Sequence, residues 1–356
     1  MQNRAAKRYN ILLIRSSSIG DVILATACLQ HLEKINFPAS VFWLGRSPAL
    51  DLIQRSYPEV ACIQMKSGMI ENFSLVRALP KIDLVIDLQI NLRSIFVSLC
   101  TLILMGSRVF WCRKRGFARS LLVAKARLRP RKIPRQREDN IPQYELMLSC
   151  LKRGLESLSG DVGGREEVYP VLLSDPGSLP QDLRQQLMKG KWIAVAPGAA
   201  HPAKQAPEYV FEGILNQVVE QHDCAVVFLG EEKDKSIADN ISKNLPGQQR
   251  HLNLCGDLSL WQSINVLSYC RSLVGNDTSL CHAAQALNVP SAVLFGPTVE
   301  EFGFAAWGPT SRSFSSPLGC RPCSKHGKIP CRFKDYLCFS GIERQSISEF
   351  LCSHLG

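Results

Sequence analysis

Four short segments of the chain set a glycine or other small residues beside an acid, a cation or a hydroxyl just after an apolar run, where chemistry could be carried. In Ser16-Ser17-Ser18-Ile19-Gly20-Asp21, Gly20 lets the backbone approach a ligand and Asp21 projects from a helix start, where a carboxylate could take a proton from a hydroxyl. By itself Asp21 is equally an acid held at a helix N-terminus by the dipole. Pro197-Gly198-Ala199-Ala200-His201-Pro202-Ala203-Lys204 ends in an ammonium suited to neutralising a phosphate, although an ordinary surface lysine reads the same way. Gly230-Glu231-Glu232-Lys233-Asp234 offers acids that could grip ribose hydroxyls or cap the next helix. Asn276-Asp277-Thr278-Ser279-Leu280-Cys281-His282 is the most informative: the amides of a helix start make an anion site, and His282 stands one turn into that helix.

Missing motifs narrow the chemistry. The chain has neither G-x-G-x-x-G nor G-x-x-x-x-G-K-[ST], so the dinucleotide fingerprint and the P-loop are absent. It lacks a D-x-D pair, which weakens a metal-bound nucleotide sugar, and a G-x-S-x-G nucleophile elbow.

The elements that must position these segments alternate strand and helix, twice over. Apolar strands are expected at Tyr9 to Arg15, Ser40 to Leu44, Ala61 to Met65 and Leu84 to Asp87, with helices at Gly20 to Lys34, Ala49 to Ser56, Glu71 to Leu79 and Leu92 to Leu104. A helix at Tyr144 to Leu155 precedes the Gly-, Ser- and Pro-rich boundary Ser157 to Pro180. The scheme then repeats, with strands at Trp192 to Ala196, Cys224 to Leu229, Ser272 to Gly275 and Ser291 to Phe295. Helices are expected between them at Pro207 to Gln221, Lys233 to Asn244, Leu260 to Tyr269 and Thr278 to Leu287. Such alternation implies an α/β chain of two doubly wound Rossmann-like domains facing a cleft, with ligands at the carboxyl ends of the strands.

At 356 residues, 46% hydrophobic and 21% charged, the chain is long enough for two globular domains and too apolar for disorder. The most continuous apolar run, Ile95 to Met105, is shorter than the roughly 20 residues of a membrane span and reads as a buried helix. The N-terminal MQNRAAKRYN leads straight into a strand, so a cytoplasmic protein is expected. The net charge of +11 is concentrated between Arg108 and Arg137, where twelve basic residues occur without an acid. That run is either a solvated loop or a docking face for a polyanion. Nucleic acid is the least favoured, because Phe110, Trp111 and Phe117 do not interleave the later charges. Of fourteen cysteines, Cys320, Cys323, Cys331 and Cys338 cluster as C-x2-C-x7-C-x6-C, a spacing compatible with structural zinc or with free or oxidised thiols in an irregular loop.

Taken in order, S-S-I-G-D-V-I-L-A-T (Ser17 to Thr26), D-L-Q-I-N-L-R-S (Asp87 to Ser94) and P-G-A-A-H-P-A-K-Q-A-P (Pro197 to Pro207) point one way, as do G-N-D-T-S-L-C-H-A-A-Q-A-L-N-V-P (Gly275 to Pro290) and L-F-G-P-T (Leu294 to Thr298). Together they resemble the ADP-heptose:lipopolysaccharide heptosyltransferases, inverting glycosyltransferases of family nine with the GT-B architecture. The resemblance implies an N-terminal acceptor-binding domain over 1–175, a nucleotide-sugar-binding domain over 176–340, and a C-terminal helix in 341–356 returning to the N-terminal domain. By position, Asp21 matches the family's catalytic base and Lys204 its phosphate-binding lysine. Asp277, Thr278, Ser279 and His282 match the donor turn, with Asp234 preferred to Glu231 as the ribose acid. Ser18, Gly20, Asp87, Gln89 and Arg93 fall on the acceptor side. One departure is that Ser279 stands where the family carries glycine.

The implied reaction moves heptose from ADP-heptose to the anionic inner core of lipopolysaccharide, with no cofactor and no metal. The enzyme would be peripheral at the cytoplasmic face of the inner membrane, and Arg108 to Arg137 would dock the anionic surface. Another activated sugar or acceptor, a catalytically silent glycan or nucleotide binder, and a zinc-containing nucleic-acid binder are the alternatives.

Overall fold

Parallel strands buried on both faces need apolar side chains at every position rather than at alternate ones, and Ile11-Leu12-Leu13-Ile14 meets that demand with all four fully buried. The computed structural model describes residues 7–134, 141–160, 167–247 and 250–356. In its first sheet the strands are β1 (Tyr9–Ile14), β2 (Ala39–Gly45), β3 (Ala61–Gln64), β4 (Leu84–Asp87) and β5 (Arg108–Trp111). All pairings are parallel and the order is β3-β2-β1-β4-β5. The second sheet comprises β6 (Trp192–Ala196), β7 (Ala225–Phe228), β8 (His251–Asn253), β9 (Cys270–Asn276), β10 (Ser291–Phe295) and β11 (Arg312–Ser315), again parallel, in the order β11-β10-β9-β6-β7-β8. The doubly wound α/β expectation is met in both halves.

Several elements depart from the sequence expectation for identifiable reasons. The first helix is two, Ile19–Ala25 and Ala27–Lys34. Thr26 Oγ1 donates to the Ile23 carbonyl at 2.7 Å and accepts the Val171 amide at 3.0 Å, which fixes the break. The edge strands β5, β8 and β11 are only three or four residues long, and β8 and β11 are mostly polar, so their apolar signal is weak. The basic run contains β5 and the helix Gly116–Leu128. Ile95 to Met105 is not a buried helix: within Leu92–Met105 the residues facing the core are Ser94, Val97, Ser98, Cys100 and Thr101, while Leu102, Ile103 and Leu104 are exposed.

The compact units also cut across the expected domains. The first comprises Met1–Lys114 and Gln143–Leu173, the second Arg115–Pro142 and Ser174–Gly356. Arg119 explains why the basic segment counts with the second unit: it donates to the Phe302 carbonyl at 2.7 Å and lies over the Phe304 ring at 4.9 Å. Arg131 pairs with Asp335 at 2.7 Å. The C-terminal helix Arg344–Cys352 packs on the helix Glu208–Gln221 of the second unit. Its Ile347 and Leu351 are fully buried, and Ser348 Oγ donates to the Ile214 carbonyl at 3.0 Å.

His31, 1% exposed in the first unit, has its pKa pulled down to about 4 by burial, with help from Lys152 and Lys34. The unfolded chain keeps the ordinary value near 6.5, so neutral His31 contributes its full stability above that pH and loses it as pH falls toward about 4. Thermal melts across that window should show a falling melting temperature, with a shallower slope in His31→Gln. An unchanged slope would assign the acid sensitivity to other groups.

Candidate active site

In each sheet the strand order reverses beside the first strand of the half, between β1 and β4 and between β6 and β9. Connections leave those neighbours in opposite directions and open a crevice at their carboxyl ends. The segments singled out from the sequence lie at these two points, with the loop after β7 next to the second.

In the first unit the Asp21 carboxylate is held through one oxygen. Its Oδ2 pairs with the Arg15 guanidinium at 2.7 Å and accepts from Ser18 Oγ at 2.9 Å and the Ser18 amide at 3.3 Å. Among the described residues Oδ1 has no hydrogen-bond partner. Arg15, at the end of β1, also donates to the Leu88 carbonyl after β4, so it ties the two sides of the crevice together. Gly20 is buried in the helix behind Asp21. Gln89 Oε1 accepts the Ser16 amide at 3.0 Å and the Ser17 amide at 3.3 Å, bracing the loop that carries Asp21.

Asp87 is fully buried; its Oδ1 accepts the amides of Gln89 at 2.9 Å and Ile90 at 2.8 Å and so shapes the loop after β4. Burial pushes its pKa up, opposed by those amides, Ser94 and Lys114. The loop holds Ile90 in the left-handed region at φ 48°, and Lys114 donates to its carbonyl. Arg93 is exposed and donates to the Ser67 carbonyl at 3.0 Å.

In the second unit Asn276, fully buried at the end of β9, joins three stretches of chain. Its amide nitrogen donates to the carbonyls of Pro197 at 2.7 Å and Gly198 at 3.3 Å, and its oxygen accepts the Ala206 amide at 3.0 Å. That fixes the Lys204 loop against the turn that opens the helix Ser279–Ala286. Lys204 Nζ lies 2.6 Å from Asp277 Oδ2, which Thr298 Oγ1 approaches at 3.3 Å. Thr278 is the N-cap of the helix Ser279–Ala286. Ser279 opens that helix with no positive φ, so a serine meets no backbone strain there. His282 is buried one turn in, its ring 6.2 Å from that of Phe304.

The two candidate ribose acids part ways. Glu231 is exposed and pairs with Lys233 at 2.7 Å. Asp234 is buried, its Oδ2 accepting the Glu231 amide at 3.0 Å, and burial pushes its pKa up. Asp234 also lies against Gly198: a Cβ there would come within 2.2 Å of its carboxylate.

Cys320, Cys323, Cys331 and Cys338 line one pocket with Arg131, Arg332 and Phe333. Among the described residues no group of three or more His, Cys, Asp or Glu is arranged to hold a metal ion. Of the basic run, Arg119 and Arg131 are committed to contacts inside the second unit, Arg108, Arg113, Arg127 and Arg129 are exposed, and Arg135 and Arg137 lie outside the described residues. Arg15, Asn276 and Thr298 carried no separate signal in the sequence. An arginine closing a strand beside a loop acid was the one available hint.

Solved structures share this architecture. Structure of E. coli ADP-heptose lps heptosyltransferase II covers 97% of this chain and 98% of its own, with TM-score 0.69 and 22% identity. E. coli heptosyltransferase WaaC with ADP covers 96% and 99%, with TM-score 0.65 and 16% identity. The fold is therefore that of the GT-B glycosyltransferases. A family model described as Glycosyltransferase family 9 (heptosyltransferase) matches residues 73–336, well over half of the chain, and the chain belongs to that family. Lipooligosaccharide heptosyltransferase 2 of Haemophilus influenzae is 26% identical over 310 residues, covering 82% of this chain and 85% of that relative. Lipopolysaccharide heptosyltransferase 2 of Escherichia coli K12 is 34% identical over 113 residues, 31% of this chain and 32% of that relative.

Two expectations follow from the geometry. Asn276→Asp deletes the two donors to the Pro197 and Gly198 carbonyls, and denaturant unfolding should report a loss of about 1–3 kcal/mol; unchanged stability would show that other contacts set this loop. A hydrogen bond from Cys323 and the nearby Arg131 and Arg332 bring the Cys320 thiol down to about 6 against the cost of burial. Limiting iodoacetamide near neutral pH, read by peptide mass spectrometry, should therefore label Cys320 before the other cysteines, and labelling spread evenly would contradict that environment.

Proposed function

We propose that this family 9 glycosyltransferase moves heptose from ADP-heptose to the inner core of lipopolysaccharide by single displacement with inversion. Asp21 acts as the base. The observation that carries this reading is a carboxylate fixed through Oδ2 by Arg15 and Ser18, with Oδ1 left to accept the proton of an acceptor hydroxyl. Holding one oxygen removes the rotational freedom that would otherwise be lost in reaching the transition state. Gln89 and the loop shaped by Asp87 stand on the acceptor side, with Arg93 beside them.

As the glycosidic bond to ADP breaks, negative charge grows on the diphosphate. Lys204, held by Asp277, and the amides at the start of the helix Ser279–Ala286 supply compensating positive charge. Asp234 and Glu231 are assigned to the ribose side. The names of the relatives, among them a lipooligosaccharide and a lipopolysaccharide heptosyltransferase 2, support the acceptor class. The exposed arginines of the Arg108 to Arg137 run are assigned to the anionic cytoplasmic face of the inner membrane, where such an acceptor would be presented.

The test is acceptor-dependent ADP release by the purified chain with ADP-heptose and a deacylated inner-core acceptor, compared with Asp21→Ala and Lys204→Ala. Loss of turnover by about 10²–10⁴-fold in Asp21→Ala, with donor binding retained, is the expected result. Lys204→Ala should weaken both donor binding and turnover. Near-wild-type turnover in Asp21→Ala would remove Asp21 as the base, and donor binding without any turnover would favour a binding protein over an enzyme.

A further inference from the structure

Of the five residues of the helix Leu92–Met105 that face the core, Val97 and Cys100 are apolar but three carry hydroxyls, while its larger aliphatic side chains face out. Ser94, Ser98 and Thr101 are buried, their hydroxyls satisfied within the same turn of chain: Ser94 Oγ donates to the Asn91 carbonyl at 3.2 Å, Ser98 Oγ to Ser94 at 2.8 Å and Thr101 Oγ1 to Ser98 at 2.8 Å. Hydrocarbon points the other way. Leu92 is 85% and Ile103 78% exposed, and with Leu99 they form one stripe at helical spacing, flanked by Leu102 and Leu104. A surface helix in water is expected to show the reverse.

The neighbouring helix Met69–Ala78, which packs against it, extends the face with Met69, Phe73 and Ile70, the last 83% exposed. Arg93 Nε, donating to the Ser67 carbonyl, joins the starts of the two helices. Contiguous apolar surface of this kind marks an interaction site rather than scattered exposed residues.

Charge indicates what covers it. Arg77 and Arg93 are exposed at the ends of the two helices and Arg108 at the start of β5 just beyond them, and from Leu88 to Arg137 the sequence has thirteen Lys and Arg and no acid. Glu71, the one acid of the helix Met69–Ala78, is occupied in accepting the Gly68 amide at 3.0 Å. A second copy would have to meet this face with the same face in a two-fold contact, setting arginine rim against arginine rim. An anionic lipid surface offers acyl chains to the stripe and negative headgroups to the rim.

We propose that the outward faces of the helices Met69–Ala78 and Leu92–Met105 form a docking surface for an anionic phospholipid bilayer. This deepens the membrane part of the function proposed above and rests on it for its biological sense. Its apolar component lies in the first unit, outside the Arg108 to Arg137 run.

The experiment is flotation of the full chain with vesicles of phosphatidylglycerol and phosphatidylethanolamine, and with vesicles of phosphatidylcholine alone. Neither donor nor acceptor is added, so failure of the proposed reaction would not alter the readout. Wild type should float with the anionic vesicles and far less with phosphatidylcholine. The exposed-site variant Ile70→Ser, Leu99→Ser, Ile103→Ser should lose at least tenfold in partitioning at an unchanged melting temperature. If that melting temperature falls, the single Ile103→Ser variant reads the same face. Equal flotation of variant and wild type overturns the proposal. So does a wild-type dimer, seen by light scattering, that the variant makes monomeric while vesicle binding persists.

Discussion

Two reversals of strand order, between β1 and β4 and between β6 and β9, are the constraint on which the rest of the molecule depends. A parallel strand must be followed by a crossover, and only where neighbouring crossovers leave in opposite directions does the carboxyl edge of a sheet stay uncovered. Everything chemical in this chain is tied across those two gaps. Arg15 spans the first, from the end of β1 to the Leu88 carbonyl, while its guanidinium takes the Asp21 carboxylate. Asn276 spans the second, from β9 to the loop that carries Lys204. In both cases a polar side chain at a strand end converts an open crevice into a fixed arrangement of groups.

The two units divide the electrostatic work. The first holds an anion with one oxygen left over, which suits proton abstraction. The second holds a cation against an acid at the mouth of a helix, which suits an anionic ligand. Asp277 thereby orders Lys204 at the cost of part of its charge, and the helix amides add what the pair alone does not supply. Asp87 and Asp234 each accept backbone amides of the loops that carry them, which braces those loops whatever else the carboxylates meet.

Much of this was legible in the residues, for physical reasons. Fully apolar runs as short and as rich in β-branched residues or leucine as Ile11 to Ile14 and Trp192 to Ala196 fit strands buried on both faces, and the loops that follow them were found by position. What escaped depends on how side chains are turned and partnered once the chain has folded. Thr26 breaks a helix because the Val171 amide needs its hydroxyl. Nothing in the residues announced that the Asp87 carboxylate would cap its own loop. Leu92 to Met105 looked buried because composition records how apolar a helix is and not which side faces out. Arg119 read as a surface charge until the Phe302 carbonyl and the Phe304 ring claimed it.

Ile90 shows what such a site asks of the backbone. A β-branched residue at φ 48° stores strain of about 1–3 kcal/mol, and it is retained by the Asp87 carboxylate on its amide and the Lys114 ammonium on its carbonyl. Glycine would sit there without strain yet would let the chain sample other shapes, loosening the loop that positions Gln89. The residue thus trades thermodynamic comfort for geometry. Directed evolution of this enzyme for heat resistance would be drawn to position 90 early, and would be exchanging a fixed loop for an unstrained backbone when it arrived there.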